Sequence, residues 1–215
     1  MTAADEPGPG PTEWTTPGHE VGVGPWPGAW PDDPRYDPEL LEHGDRRNVV
    51  DRYRYWRREA VVADLDLRRH PFHVAIENLQ HDANIGTIVR TANAFLAGAI
   101  HIVGRRRWNR RGAMVTDRYQ HVVHQPDVAA LAAWARAEDL VLVAVDNGPG
   151  ATPLETTVLP RRSVLLFGQE GPGLSADAVA AADLVVSIAQ FGSTRSINAG
   201  VAAGIAMHAW IRAHA

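Results

Sequence analysis

Three stretches of the 215-residue chain combine glycine with hydrogen-bonding side chains, each directly after an apolar run that reads as a strand. The first is Asn78–Thr91, NLQHDANIGTIVRT. Asn84 is suited to cap a helix, and Gly86 admits another backbone against that helix's first turn. Arg90, four residues beyond Gly86, projects from the same helix face. The second is Phe167–Ser175, FGQEGPGLS, a rigid turn of three glycines and a proline, with Glu170 in its middle placed to tie down neighbouring amides. The third is Ile188–Asn198, IAQFGSTRSIN. It gathers Gly192, Ser193, Thr194, Ser196 and Asn198 before the last helix, where Ser196 can cap and Arg195 can meet a phosphate. No Gly-Lys-Ser/Thr string is present, which argues against a P-loop nucleotide triphosphatase. Taken singly, each stretch also reads as an ordinary strand-to-helix connection.

A fourth feature is charge. Arg105, Arg106, Arg107, Arg110 and Arg111 surround Trp108 and Asn109. Five arginines in seven residues repel one another, and a tryptophan among them is poorly placed for solvent; a polyanion relieves both penalties, so RNA contact is expected there. His121 and His124 have a spacing compatible with metal ligation, but on a strand they face opposite sides, and no metal is expected.

The elements that must position these residues alternate strand and helix from residue 72 onward. Strands are predicted at 73–77, 99–104, 120–125, 140–146, 163–168 and 184–189. Helices are predicted at 84–97, 127–138, 175–182 and from about Ser196 to Arg212. Near-continuous apolar strands separated by helices indicate an α/β fold, a mainly parallel sheet with helices on both faces. Ligands of such sheets sit beyond the carboxyl ends of the strands, where all three glycine turns lie.

Ahead of this domain, residues 1–38 hold nine of the 15 prolines and are expected to lack a fixed structure. Residues 39–71 form an arginine-rich helical extension with Tyr53, Tyr55 and Trp56 interleaved, either a solvated face or a surface for RNA. Residues 1–45 carry ten acidic side chains and one basic, so the formal net charge of −4 conceals a remainder at +5. There is no cysteine, which excludes disulfide scaffolds and thiol chemistry. No apolar run reaches the roughly 18 residues of a membrane span. The first residues lack the basic start and apolar stretch of a signal peptide, so the expected location is cytoplasmic.

Together the three glycine stretches resemble the SpoU (TrmH) family of the SPOUT superfamily, RNA ribose 2′-O-methyltransferases. Asn84, Gly86, Arg90, Thr91 and Ala92 match its first motif; Gly168, Glu170, Gly173, Leu174 and Ser175 its second; Ile188, Gly192, Ser196, Ile197 and Asn198 its third. The resemblance runs from about 72 to 212, and residues 1–71 lie outside it. Ala189 and Gln190 stand where the family usually has Pro-Met, and Ile197 where it often has Leu.

The resemblance implies a deep trefoil knot, which physical base rates alone would not suggest. It implies S-adenosylmethionine as cofactor, with Gly168, Ile188 and Ile197 around the adenosine and Glu170, Gly173 and Asn198 completing its pocket. It places Arg90 at the ribose 2′-hydroxyl of a structured RNA, tRNA slightly favoured over rRNA, with Asn84, Ser196 and Asn198 in the catalytic set. It also implies a homodimer, to which the last helix (Gly200, Val201, Ile205, Met207, Trp210) contributes. The rival expectation is a catalytically inactive RNA-binding or ribosome-assembly factor on the same fold.

Overall fold

Phe72, Val74 and Ile76 fall on one face of strand β1 (Phe72–Asn78), and His73, Ala75 and Glu77 on the other; of these only His73 is not buried. This two-sided burial is what a strand inside a parallel sheet requires. The structure, a computed structural model, describes residues 22–78, 84–169 and 172–215. Contacts divide the chain into two units, Met1–Tyr55 and Trp56–Ala215.

In the second unit β1 lies within a parallel sheet completed by β2 (Ile100–Gly104), β3 (Val122–Gln125), β4 (Val141–Val145), β5 (Thr152–Pro153), β6 (Ser163–Phe167) and β7 (Leu184–Ser187). The strand order is β3-β2-β1-β6-β4-β7-β5. One face carries α3 (Asn84–Ala94) and α6 (Ala199–His214). Ile85, Ile88 and Val89 of α3 and Ala203, Met207 and Trp210 of α6 close over Phe72, Ile76, Ile100 and Phe167. The other face carries α4 (Val128–Ala137) and α5 (Ala176–Ala181). There Leu131, Ala135 and Ala178 pack on Ala75, Leu142, Val164 and Leu166.

Three boundaries depart from the sequence reading for local reasons. Helix α3 stops at Ala94 rather than 97, because Leu96 turns left-handed (φ 53°) and lets the Ala97 amide bond back to the Ala92 carbonyl at 3.0 Å. Helix α6 starts at Ala199, not Ser196. Asn198 is the cap, its side chain accepting from the amides of Gly200 and Val201, and Ser196 stays in the preceding loop. The two-residue β5 was not expected; it pairs Thr152 and Pro153 with the end of β7.

The last helix also corrects an expectation. Gly200, Met207 and Trp210, read as part of a subunit contact, are buried in the chain's own core; only Val201 and Ile205 of that set are exposed apolar side chains. Trp210 is fully buried, 4.4 Å centroid to centroid from Phe72, and its Nε1 donates to the Pro160 and Arg161 carbonyls.

Within the first unit, residues 1–21 lie outside those described. Residues 22–38, expected to lack fixed structure, form definite contacts. Val23 bridges Asp45, and the Trp26 ring meets Tyr36 and Tyr55 edge-on at 5.7 and 5.2 Å. Helix α1 (Pro38–His43) starts at an Asp37 cap with proline in its first turn, a favourable N-terminus. Asp45 is buried. Burial pushes its carboxyl up, but hydrogen bonds from Arg47 and the Tyr55 amide outweigh this and hold it below the usual carboxylate range.

Much of the arginine of 39–71 is therefore engaged within the chain. Arg47 pairs with Asp45 at 2.7 Å, and Arg54 donates to the Arg47 carbonyl at 2.7 Å. In the second unit, Arg69 pairs with Asp66 of α2 (Arg58–Asp66) and also donates to the Tyr119 carbonyl. These residues act as internal tethers, a role that charge counting alone does not reveal.

On the α4 face, the buried ring of His101 lies 5.5 Å from the half-buried ring of His73, tilted by 48°. His101 is 1 % exposed, lies 3.3 Å from the His73 ring nitrogen and 3.2 Å from Gln125 Nε2, and its ring packs 4.1 Å from that of Trp134. Burial lowers His73 to about 4, helped by Arg162, and lowers His101 to about 3, helped by His73. Both folded values lie below the unfolded value near 6.5. Stability is therefore complete above that pH and is lost as pH falls toward 4 and then 3. Denaturant unfolding should show a loss on the order of 3 kcal/mol between pH 7.5 and pH 5. A flat profile over that interval would contradict a neutral His73–His101 pair.

Candidate functional site

The loops that follow the carboxyl ends of β4, β6 and β7 enclose a cleft of about 170 Å³. Its apolar walls include Phe167, Leu174, Ile188 and Ile197. Gly168, Gly173, Ser196 and Asn198 line it as well.

The turn after β6 is built on two glycines with different tasks. Gln169 and Gly173 exchange backbone hydrogen bonds at 3.1 Å in both directions, closing the turn. A Cβ on Gly168 would stand 2.2 Å from the Gly173 carbonyl carbon and 2.3 Å from the Leu174 nitrogen, so no side chain fits there. Gly173 has φ +74°, a left-handed conformation that suits glycine. Glu170, expected to brace this turn, lies outside the described residues.

Two carboxylates clamp the turn from opposite sides, and the sequence reading named neither. Asp146 Oδ2 accepts from the Leu174 amide at 3.2 Å, and Asp146 also lines the cleft. Glu77, 2 % exposed, accepts from the Ser175 amide at 2.7 Å and from Ser175 Oγ at 2.6 Å. Ser175 in turn caps α5 through the Ala178 amide. The available signal was an acidic residue closing an otherwise apolar buried strand, in HVAIE and in LVLVAVD. A buried carboxylate serving two donors is costly to remove, because the donors stay behind unpaired. Glu77→Ala should lower unfolding free energy by about 2–4 kcal/mol in denaturant titration, and Glu77→Gln by less. A loss within about 0.5 kcal/mol for the alanine variant would show the clamp to be unimportant.

The loop after β7 is held at three points. The Ala189 amide donates to Glu155 Oε1 at 2.9 Å, Asn147 Nδ2 donates to the Arg195 carbonyl at 3.2 Å, and Asn198 Nδ2 donates to Asn84 Oδ1 at 2.9 Å. The last bond joins the first glycine stretch to the third. Asn198 thus caps α6 with its oxygen and reaches α3 with its nitrogen. Gln190 also lines the cleft, and its Oε1 is buried without a hydrogen-bond partner among the described residues.

Gly86 performs the task its position suggested. A Cβ there would meet the Ala113 nitrogen at 2.7 Å and Gly112 at 2.8 Å, so the 3₁₀ turn Arg111–Ala113 rests directly on α3. Arg90 is exposed on the same helix face, one turn further on. It does not line the cleft, and its side chain makes no hydrogen bond or ion pair among the described residues.

The arginine cluster emerges from the end of β2. Asn78, fully buried, donates to the Arg105 and Arg107 carbonyls at 2.6 and 2.7 Å and shapes the loop. Arg105, Arg106, Arg107, Arg110 and Arg111 are exposed, as is Arg195 beside the cleft. Trp108 departs from expectation: it is partly buried against the main core, with the Arg110 guanidinium 5.4 Å from its ring centroid. Arg110 also pairs with Asp117 at 3.4 Å. His121 bonds Asp66 and His124 the Gly104 carbonyl. Among the described residues no group of three or more His, Cys, Asp or Glu could hold a metal, and no helix is long and apolar enough to cross a membrane.

The model of the SpoU rRNA Methylase family matches residues 71–208. The tRNA (guanosine(18)-2′-O)-methyltransferase of Borreliella burgdorferi is 25 % identical over 153 residues, covering 67 % of this chain and 67 % of that protein. The solved structure of the SpoU methyltransferase AviRb from Streptomyces viridochromogenes in complex with the cofactor AdoMet superposes with a TM-score of 0.61 at 26 % identity, covering 69 % of this chain and 60 % of that one. An AdoMet-bound rRNA methyltransferase from Sinorhizobium meliloti gives 0.61 at 27 % identity, covering 70 % and 60 %. This chain thus spans about three fifths of the length of these two solved relatives.

Proposed function

Because the chain belongs to the SpoU rRNA methylase family, we propose that it transfers a methyl group from S-adenosylmethionine to a ribose 2′-hydroxyl of structured RNA, tRNA in preference to rRNA. The observation that carries this reading is that the second and third glycine stretches line one cleft, to which the first is tied by the Asn198–Asn84 hydrogen bond.

The residues present suit the cofactor. Gly168 lets the turn close tightly on Gly173 and Leu174 at the edge of the cleft, and Ile188, Ile197 and Leu174 offer apolar walls for a purine. The unpartnered Gln190 oxygen offers an acceptor to an exocyclic amine, and the Asp146 carboxylate favours a cationic ligand. Gln190 and Ala189, the departures from the family's usual Pro-Met, are thus compatible with the pocket. Gly173 keeps the turn's conformation, and Glu170 is assigned to the same brace by the motif match.

When bound, S-adenosylmethionine supplies a methyl group already activated by its sulfonium. The protein's share is positioning and charge. Asn84, Ser196 and Asn198 order the loops on either side of the acceptor ribose. A guanidinium keeps its charge in proteins, so Arg90 acts by stabilising the 2′-oxygen as its proton passes to solvent, not by taking that proton. Arg105, Arg106, Arg107, Arg110, Arg111 and Arg195 hold phosphates, while Trp108 supports their loop from beneath.

The same reading includes a homodimer, with the exposed Val201 and Ile205 of α6 in the contact, a threaded chain at the last loop, and a cytoplasmic location. Incubation with methyl-labelled S-adenosylmethionine and RNA from a strain lacking this gene should yield a labelled 2′-O-methylnucleoside after digestion. No label, together with no cofactor binding at millimolar concentration, would favour the inactive RNA-binding factor instead.

A further inference from the structure

Just beyond the arginine loop the chain makes a tip that the mechanism above leaves unused. Its two feet are fixed. Ala113 is fully buried, Thr116 is 5 % exposed, and Thr116 Oγ1 donates to the Ala113 carbonyl at 2.6 Å. Between them Met114 (φ 47°) and Val115 (φ 67°) occupy the left-handed region in succession, with 55 % and 54 % of their surfaces exposed. A branched β-carbon makes that conformation unfavourable for valine, where glycine would adopt it freely. Two apolar side chains are thus held out in water on a strained backbone, a combination that folding alone does not favour and that marks sites of use.

The surroundings indicate what would cover the tip. Residues 105–118 contain six arginines and a single acidic residue, Asp117. The foot of the tip rests on Gly86, on the α3 face that also presents Arg90. We propose that Met114 and Val115 form an apolar wedge that packs against an unstacked nucleobase of the RNA substrate while the neighbouring guanidiniums hold its phosphates. Apolar side chains serve as wedges between bases in other nucleic-acid complexes, and RNA is read chiefly where its bases are splayed out. A second copy of this chain is a poorer occupant, since tip-to-tip contact would bring two arginine clusters together. The proposal rests on the RNA methyltransferase reading and adds the part of the RNA that this loop recognises.

Two variants and two ligands test it. An unmodified tRNA transcript presents phosphates and bases, whereas heparin presents charge without bases. Val115→Gly should melt at or above the temperature of the unmutated chain, because glycine relieves the left-handed strain. The Met114→Ser, Val115→Ser double variant should bind the tRNA transcript about fivefold or more weakly, with heparin and S-adenosylmethionine affinities unchanged. Retained tRNA affinity overturns the wedge. So does a parallel loss of tRNA and heparin binding, or a fall in sedimentation mass with tRNA affinity intact, which would identify a second copy as the occupant. Failure of the unmutated chain to bind the transcript would instead remove the RNA reading, and the wedge with it.

Discussion

Gly168→Ala should abolish measurable S-adenosylmethionine binding in calorimetry while leaving the chain folded. The added methyl would lie 2.2 Å from the Gly173 carbonyl carbon and 2.4 Å from its oxygen, both backbone atoms that cannot rotate away. The turn would have to open, and opening it moves Gly173 and Leu174, which line the cleft, and strains the Leu174–Asp146 bond. Overpacking of this kind typically costs about 1–3 kcal/mol of stability, within what a domain of this size tolerates. Gly192→Ala is the matching control, since nothing lies within 4 Å of a Cβ there and its φ carries no strain. Cofactor affinity within about twofold of the unmutated chain at Gly168→Ala would place the ligand elsewhere.

Arg90→Ala should reduce methyl transfer by about a hundredfold or more, the usual consequence of removing a charge or donor aimed at a developing oxyanion. Cofactor affinity and melting temperature should hardly change, because Arg90 is exposed, outside the cleft lining, and without an ion pair among the described residues. The separation of effects is the informative part. A variant that lost binding and turnover together would make Arg90 a structural support, and unchanged turnover would remove it from the mechanism. Arg90→Lys should recover little, since a lysine cannot reproduce the planar fork of donors.

The parallel α/β architecture was legible because its signals are local and strong. Strands such as SVLLF and VLVAV are apolar on both faces, which only a covered sheet allows. The three glycine stretches could likewise be found by composition, since each sits beyond a strand end. The partners that hold them in place could not. Glu77 lies 98 residues from the Ser175 it clamps, and Asn84 lies 114 from Asn198. Pairings at that separation depend on strand order, and the insertion of β6 between β1 and β4 leaves no mark in any one segment.

Charge was the least legible property. The arginines of 39–71 and Trp108 were read as outward-facing, yet Arg47, Arg54 and Arg69 bind their own chain and Trp108 rests on the core. A guanidinium saturated by internal carboxylates and carbonyls has the same letter as one waiting for a phosphate. Helix α6 posed the same difficulty in apolar form. Only the packing reveals that Trp210 and Met207 face inward while Val201 and Ile205 do not.

The most direct examination is a crystal structure with S-adenosylhomocysteine, refined against data that show the ligand's outline without reference to any relative. Density for the adenosine should lie against Gly168, Ile188 and Ile197, with the Gln190 amide at the purine edge. Clear density at any other surface of the protein, with that cleft filled only by solvent, would contradict the assignment of the site.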